Sequence, residues 1–192
     1  MPRRVTTVVV CGPSGVGKTT IGQLLAAEFH CPFAEGDDYH SAENVEKMRA
    51  GLPLTDEDRA PWLHRLFNEV VAPNNGKDGV AVVLACSALR RCYRDLLRGA
   101  DRCHSAAESA KQLAETEVFF LLLSGDASVV AARLAARKGH YMPPSLLGSQ
   151  LATLEALAPD ELGATANFSD PPSVIAMKAA ELVRVAIAPS YL

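Results

Sequence analysis

Gly12-Pro13-Ser14-Gly15-Val16-Gly17-Lys18-Thr19 fills every fixed position of the pattern G-x-x-x-x-G-K-[ST]. A main chain that wraps closely around phosphate oxygens has to turn tightly, so it excludes a Cβ at Gly12, Gly15 and Gly17. Its exposed N–H groups then point inward, and the start of the following helix adds positive partial charge. Lys18 is the residue that reaches β- and γ-phosphates, and the Thr19 hydroxyl can ligate Mg²⁺. The stretch from Cys11 to Thr20 is therefore read as a triphosphate cradle, with ATP and Mg²⁺ as its expected occupants. The motif leaves open which acceptor receives the phosphoryl group.

Transfer to a small hydroxyl compound needs a carboxylate at the acceptor, cations for the spreading phosphoryl charge, and a lid that excludes water. The acidic run Glu35-Gly36-Asp37-Asp38-Tyr39-His40 follows a short apolar stretch at a strand's carboxyl end, where open α/β sheets bind ligands. Asp37 is the expected base or orienter; its alternative role is a turn carboxylate. Arg133 and Arg137 stand four residues apart on one helical face, suited either to the triphosphate or to a solvated surface pair. Residues 137–146, with Lys138-Gly139-His140-Tyr141-Met142-Pro143-Pro144, have the glycine and prolines expected of a mobile lid. No N-K-x-D or T-K-x-D guanine reader is present, and the third strand runs into Cys86-Ser87 instead of the acidic pair of many larger ATPases. Small-molecule kinases remain.

The elements that must position these groups alternate strand and helix. Val5 to Val10 reads as a buried parallel strand, and Ile21, Leu24, Leu25 and Phe29 recur at helical spacing behind the loop. Further strands are expected at Cys31–Gly36, Val80–Ala85, Val118–Leu123 and, weakly, Ala164–Phe168. Ser41 can cap a helix ended by Gly51 and Pro53. Thr55 and Asp58 form a capping-box-like pair, but Pro61 would then lie inside that helix, which leaves Asp58 as an alternative cap. After the third strand, Leu89, Tyr93, Leu96 and Leu97 share one helical face, and Arg90, Arg94 and Arg98 share another. The expected fold is a three-layer α/β/α phosphate-loop domain with a five-stranded parallel sheet, covering residues 1–192 as one unit. Residues 100–117 are read as a surface insertion.

Composition agrees with a single enzyme domain. The chain has 192 residues, 48% of them hydrophobic, enough to bury a core. A formal net charge of -3 without a long basic run argues against nucleic acid. Five cysteines without C-x-x-C spacing indicate neither a disulfide framework nor a zinc site. No apolar run is long enough to span a bilayer. The terminal Ser190-Tyr191-Leu192 resembles the peroxisomal S-K-L address with tyrosine in place of the basic residue, so the expected location is cytoplasmic and a peroxisome-like organelle the alternative.

Longer motifs then narrow the acceptor. Gly36-Asp37-Asp38-Tyr39-His40, Asn44 to Met48, and Gly51-Leu52-Pro53-Leu54-Thr55-Asp56-Glu57-Asp58-Arg59-Ala60-Pro61-Trp62-Leu63 resemble the gluconate kinase signature. Cys86-Ser87-Ala88-Leu89-Arg90-Arg91, Tyr93 to Arg98, and Arg133 through Arg137 to His140 resemble that family's later motifs in the same order. The resemblance implies a shikimate-kinase-like or nucleoside-monophosphate-kinase-like fold and ATP-dependent phosphorylation of D-gluconate to 6-phosphogluconate, feeding the pentose phosphate pathway, usually by a homodimer. It implies substrate-binding helices within 41–72 and a Mg²⁺-holding carboxylate at Glu35. For the sugar acid, which needs arginine for a bidentate grip and polar groups for its hydroxyls, Arg59, Arg94 and His40 are the leading candidates, with His140 from the lid. A kinase for another hydroxy acid or nucleoside, or a nucleotide-gated binding protein, are the alternatives.

Overall fold

Seven β-branched and small residues, Val5 to Cys11, form a fully buried strand β1, the middle of a parallel sheet. The structure is a computed structural model and describes residues 5–100, 117–136 and 146–187. The sheet is completed by β2 (Phe33–Glu35), β3 (Val82–Ala85), β4 (Glu117–Ser124) and β5 (Gly163–Asn167), in the order β2-β3-β1-β4-β5. All four pairings are parallel. Helices α1 (Lys18–Glu28), α2 (Ala42–Arg49), α3 (Asp56–Leu66), α4 (Arg91–Leu97), α5 (Ala127–Ala136), α6 (Leu146–Thr153) and α7 (Pro172–Ile187) connect and cover the strands. One apolar cluster joins α1, α5 and α7 to one side of the sheet through Val8, Ile21, Leu25, Leu121 and Ile175. The other joins α3 and α4 to the opposite side through Val9, Trp62, Leu66, Leu84 and Leu97.

The weak β-character of the fifth strand has a positional explanation: β5 is an edge strand, so it packs fewer neighbours than a central one. A Cβ on Gly163 would strike the Phe120 carbonyl, which is why a glycine opens that strand. Third-strand pairing is shorter than the apolar run, beginning at Val82.

The start of α3 resolves the capping question in favour of Thr55. Its hydroxyl accepts the Asp58 N–H at 3.2 Å, and the Asp58 carboxylate accepts the Thr55 N–H at 2.9 Å. Pro61 is tolerated inside the helix because Glu57, whose carbonyl loses a donor to the proline ring, is exposed to water. Beyond Leu66 the chain widens into a π turn over Phe67–Val71 and tightens over Ala72–Asn74. Ser41 caps α2 by accepting the Asn44 N–H, and Asp126 holds the Ser128 N–H at the start of α5. Among the described residues no helix is long and apolar enough to cross a membrane.

Candidate functional site

The loop between β1 and α1 has the backbone its sequence demands. Gly12, Gly15 and Gly17 adopt φ of 137°, 85° and 98°. A Cβ on Gly12 would lie 2.7 Å from the Leu123 carbonyl, so the loop is seated directly on the carboxyl end of β4. A Cβ on Gly15 would collide with Leu134 of α5, with Val130 beside it. The neighbouring Arg133 is exposed, and its guanidinium lies 5.6 Å from the Phe168 ring centre, at the end of β5. Arg137, His140, the lid segment apart from Leu146, the 100–117 insertion apart from its end residues, and the terminal tripeptide lie outside the described residues.

Lys18 is drawn into the cradle and donates to the Pro13 carbonyl at 2.8 Å. Burial pulls its ammonium below the ordinary lysine range, with the nearby Asp37 and Glu35 carboxylates opposing the shift. Thr19 donates to the Glu35 carboxylate at 2.7 Å. Burial raises the Glu35 carboxyl, and the Thr19 hydrogen bond only partly offsets this. Gly36 is fixed by the sheet: a Cβ there would sit 2.5 Å from the Ala85 carbonyl, and its own carbonyl accepts the Trp62 indole N–H at 2.8 Å. The acidic turn is thus pinned between β3 and α3, which points Asp37 toward the same opening as Lys18.

That opening is a cleft of about 570 Å³, its mouth included, in which Ser14, Lys18, Asp37, His40, Arg59 and Ser87 face one another. Met48, Leu54, Trp62 and Leu146 give it apolar walls. His40 stacks on Trp62 with ring centres 4.1 Å apart and 17° between planes, and its Nδ1 lies 3.5 Å from the amide nitrogen of the buried Asn44. Burial lowers the His40 pKa to about 4, with Asp37 opposing and Arg59 assisting. The ring therefore meets a ligand as a neutral, two-sided hydrogen-bonding group. An NMR titration is expected to find His40 changing charge near pH 4; a midpoint at the ordinary histidine value would show that the ring is not enclosed.

Arg59 lines the cleft and, among the described residues, makes a single side-chain hydrogen bond, to the Tyr93 hydroxyl. Arg94 does not join it. The expectation that Arg94 grips the sugar acid is overturned, because α4 is packed by α3 on one side and by residues 154–161 on the other. Arg94 is completely buried and gives two parallel hydrogen bonds to Glu161, at 2.7 and 2.8 Å. Its remaining contacts go to the carbonyls of Ala88, Leu89, Glu155 and Ala156. No donor is left to grip a substrate. Arg90 and Arg98 flank the helix as its end residues and pair with Asp56 and Asp95.

Three participants escaped the sequence reading. Trp62 is a core residue, as expected, yet it also forms the platform under His40. Ser87 closes the cleft floor, and its carbonyl accepts the Gly12 N–H at 3.0 Å. Gln150 of α6 reaches across to accept the Ser14 N–H at 2.7 Å. Its signal was present: Gln150 is one turn from Leu146 and Leu154, a polar residue on an otherwise apolar helical face.

A parallel sheet with a glycine-lined phosphate loop at the carboxyl end of its first strand, and a carboxylate and an arginine facing that loop, defines a phosphate-loop small-molecule kinase. Residues 14–157 match the family model described as shikimate kinase. The chain is 43% identical to the gluconokinase of Arabidopsis thaliana over 152 residues, covering 78% of this chain and 77% of that protein. A sugar kinase from Janibacter superposes with a TM-score of 0.80 at 44% identity, covering 97% of each chain. A gluconokinase from Sinorhizobium meliloti superposes at 0.75 with 35% identity, covering 96% of this chain and 95% of the other. The chain belongs to the gluconokinase family.

Proposed function

We propose that this chain transfers the γ-phosphoryl group of ATP to a hydroxyl of D-gluconate, releasing ADP and 6-phospho-D-gluconate. The observation that carries the reading is the meeting of Lys18, Asp37 and Arg59 in one cleft: a phosphate cation, an acceptor carboxylate and an arginine with open donors. The acceptor oxygen forms a bond to the γ-phosphorus while the bond from that phosphorus to the β–γ bridging oxygen breaks. The hydroxyl proton passes to Asp37, and the electron pair leaves with ADP. Lys18 moves from the Pro13 carbonyl to the phosphate oxygens, whose charge favours the ammonium that burial disfavours. Backbone N–H groups of the glycine loop hold the rest of the tail.

Thr19 and Glu35 suit Mg²⁺ in kind: a hydroxyl and a carboxylate, both hard oxygen donors, beside the cradle. The half-buried Glu35 carboxylate, raised by its surroundings, is a charge that a cation would compensate. Bound there with the nucleotide, the ion would neutralise developing charge on the phosphate oxygens. Arg133 and Arg137 complete the nucleotide side in this reading, and His140 the lid side. A homodimer is the expected assembly, tested by sedimentation of the purified chain.

On the acceptor side, Arg59 grips the sugar-acid carboxylate and His40 serves the hydroxyls. Arg59→Lys keeps the charge but removes the planar fork, and is expected to raise the KM for gluconate by about tenfold with the KM for ATP unchanged. An unchanged gluconate KM would remove Arg59 from the site. The function itself is tested by ADP release from the purified chain across gluconate, other sugar acids, shikimate and nucleosides. Release that is stimulated by gluconate above the others supports the assignment; stimulation by another acceptor alone replaces it.

A further inference from the structure

Arg59 is a long side chain that has to present a flat guanidinium to a flat carboxylate, and something must hold its plane. The holder is visible on its far side. Arg59 Nη1 lies 3.3 Å from the Tyr93 hydroxyl, and the Tyr93 hydroxyl in turn contacts the Asp56 carboxylate. The second oxygen of Asp56 accepts Arg90 Nη1 at 2.6 Å. Arginine only donates and an ionised carboxylate only accepts, so the single phenolic proton has one use: Tyr93 accepts from Arg59 and donates to Asp56. The Tyr93 ring reinforces the arrangement, with the Arg59 and Arg90 guanidinium carbons 5.6 and 5.8 Å from its centre. Both ends of the relay are anchored, Asp56 in the first turn of α3 and Arg90 against Glu155, which also holds the Arg91 N–H at 2.6 Å.

Tyr93 and Asp56 are absent from the cleft that holds Lys18 and Asp37. They line a side chamber, which shares Arg59, Pro53, Leu54 and Ser149 with that cleft. Arg59 is the partition. We propose that Tyr93, oriented by Asp56, is a positioning residue for the reaction: it fixes the Arg59 guanidinium toward the acceptor and does not itself touch the acceptor. The inference rests on the reading of Arg59 as the carboxylate grip. Direct contact from Asp56 does not replace the phenol, since the Arg59–Asp56 separation is 3.7 Å.

The test is a double-mutant cycle read by steady-state kinetics on the full chain, with gluconate and ATP varied separately. Tyr93→Phe keeps the ring and removes only the relay. It is expected to raise the KM for gluconate by about tenfold while kcat and the KM for ATP stay within about twofold. In an Arg59→Ala background the same change is expected to add nothing, because Tyr93 acts through the missing side chain. Asp56→Asn, at a half-exposed carboxylate, is a second variant expected to shift the gluconate KM in the same direction. Equal effects of Tyr93→Phe with and without Arg59, or no effect on the gluconate KM, overturn the proposal. Wild-type protein inert toward gluconate overturns the substrate assignment and this proposal together, whereas active wild type with additive variants overturns the positioning role alone.

Discussion

Asp37→Asn is expected to lower turnover by about 10²-fold or more while nucleotide binding, followed by calorimetry, stays close to wild type. The asymmetry comes from geometry. Asp37 sits on the turn pinned by Gly36, whose missing Cβ lets the chain press against Ala85 and whose carbonyl is tied to Trp62. Asparagine keeps the volume and the hydrogen-bonding outline, so the turn and the phosphate loop are undisturbed; what disappears is the group proposed to take the acceptor proton. Because Asp37 also supports the charge of Lys18, the variant is expected to show a modest loss of ATP affinity at alkaline pH, where burial already favours the neutral amine. Near-normal turnover would remove Asp37 from the chemistry and leave it a turn residue.

Arg94→Ala is expected to cost about 3–5 kcal/mol of folding stability, read from denaturant unfolding, because it strands a buried Glu161 carboxylate without its partner. Buried ion pairs can often be exchanged for apolar pairs at little cost, but this one is expected to resist that exchange. Arg94→Met with Glu161→Leu would leave three carbonyls, those of Ala88, Glu155 and Ala156, without the Arg94 donor they now use, and the Ala158 N–H without the Glu161 oxygen it now binds. The double variant should therefore remain well below wild type; full recovery would mean that the ion pair alone matters. Acid acts on the same group. Burial pushes the Glu161 carboxyl up, but the Arg94 hydrogen bonds, the Ala158 N–H and the neighbouring arginine charges outweigh it and hold it below the ordinary range. A carboxyl lowered on folding contributes stability that is complete above the unfolded-state value near 4.3 and is lost as pH falls through the folded value. Stability should decline with acidification below that range, and less so in the Arg94 variant.

The phosphate loop, the order of strands and helices and the acidic turn were legible because each depends on local residue types: glycines at positive φ, β-branched runs, a capping serine. Arg94 was not. From the helix alone it reads as an accessible arginine suited to a sugar-acid carboxylate, and its burial depends on Glu161, 67 residues further on, which no local pattern links to it. Cap competition at Thr55 went the same way: Pro61 argues locally against an early helix start, and the reciprocal hydrogen bonds with Asp58 prevail. Gln150 shows the intermediate case. Its place on an apolar face was visible, but its partner, the Ser14 N–H, lies 136 residues away and becomes a neighbour only once α6 is laid over the phosphate loop.

That last contact has a thermodynamic consequence. A main-chain amide has one hydrogen to give, so Ser14 cannot serve Gln150 and a phosphate oxygen together. Nucleotide that claims this amide displaces the Gln150 side chain of α6, the helix that also carries Leu146 and Ser149 on the cleft wall. The two ligands are then linked through a shared helix, and by reciprocity any change in sugar-acid affinity caused by ATP is matched by an equal change in ATP affinity caused by the sugar acid.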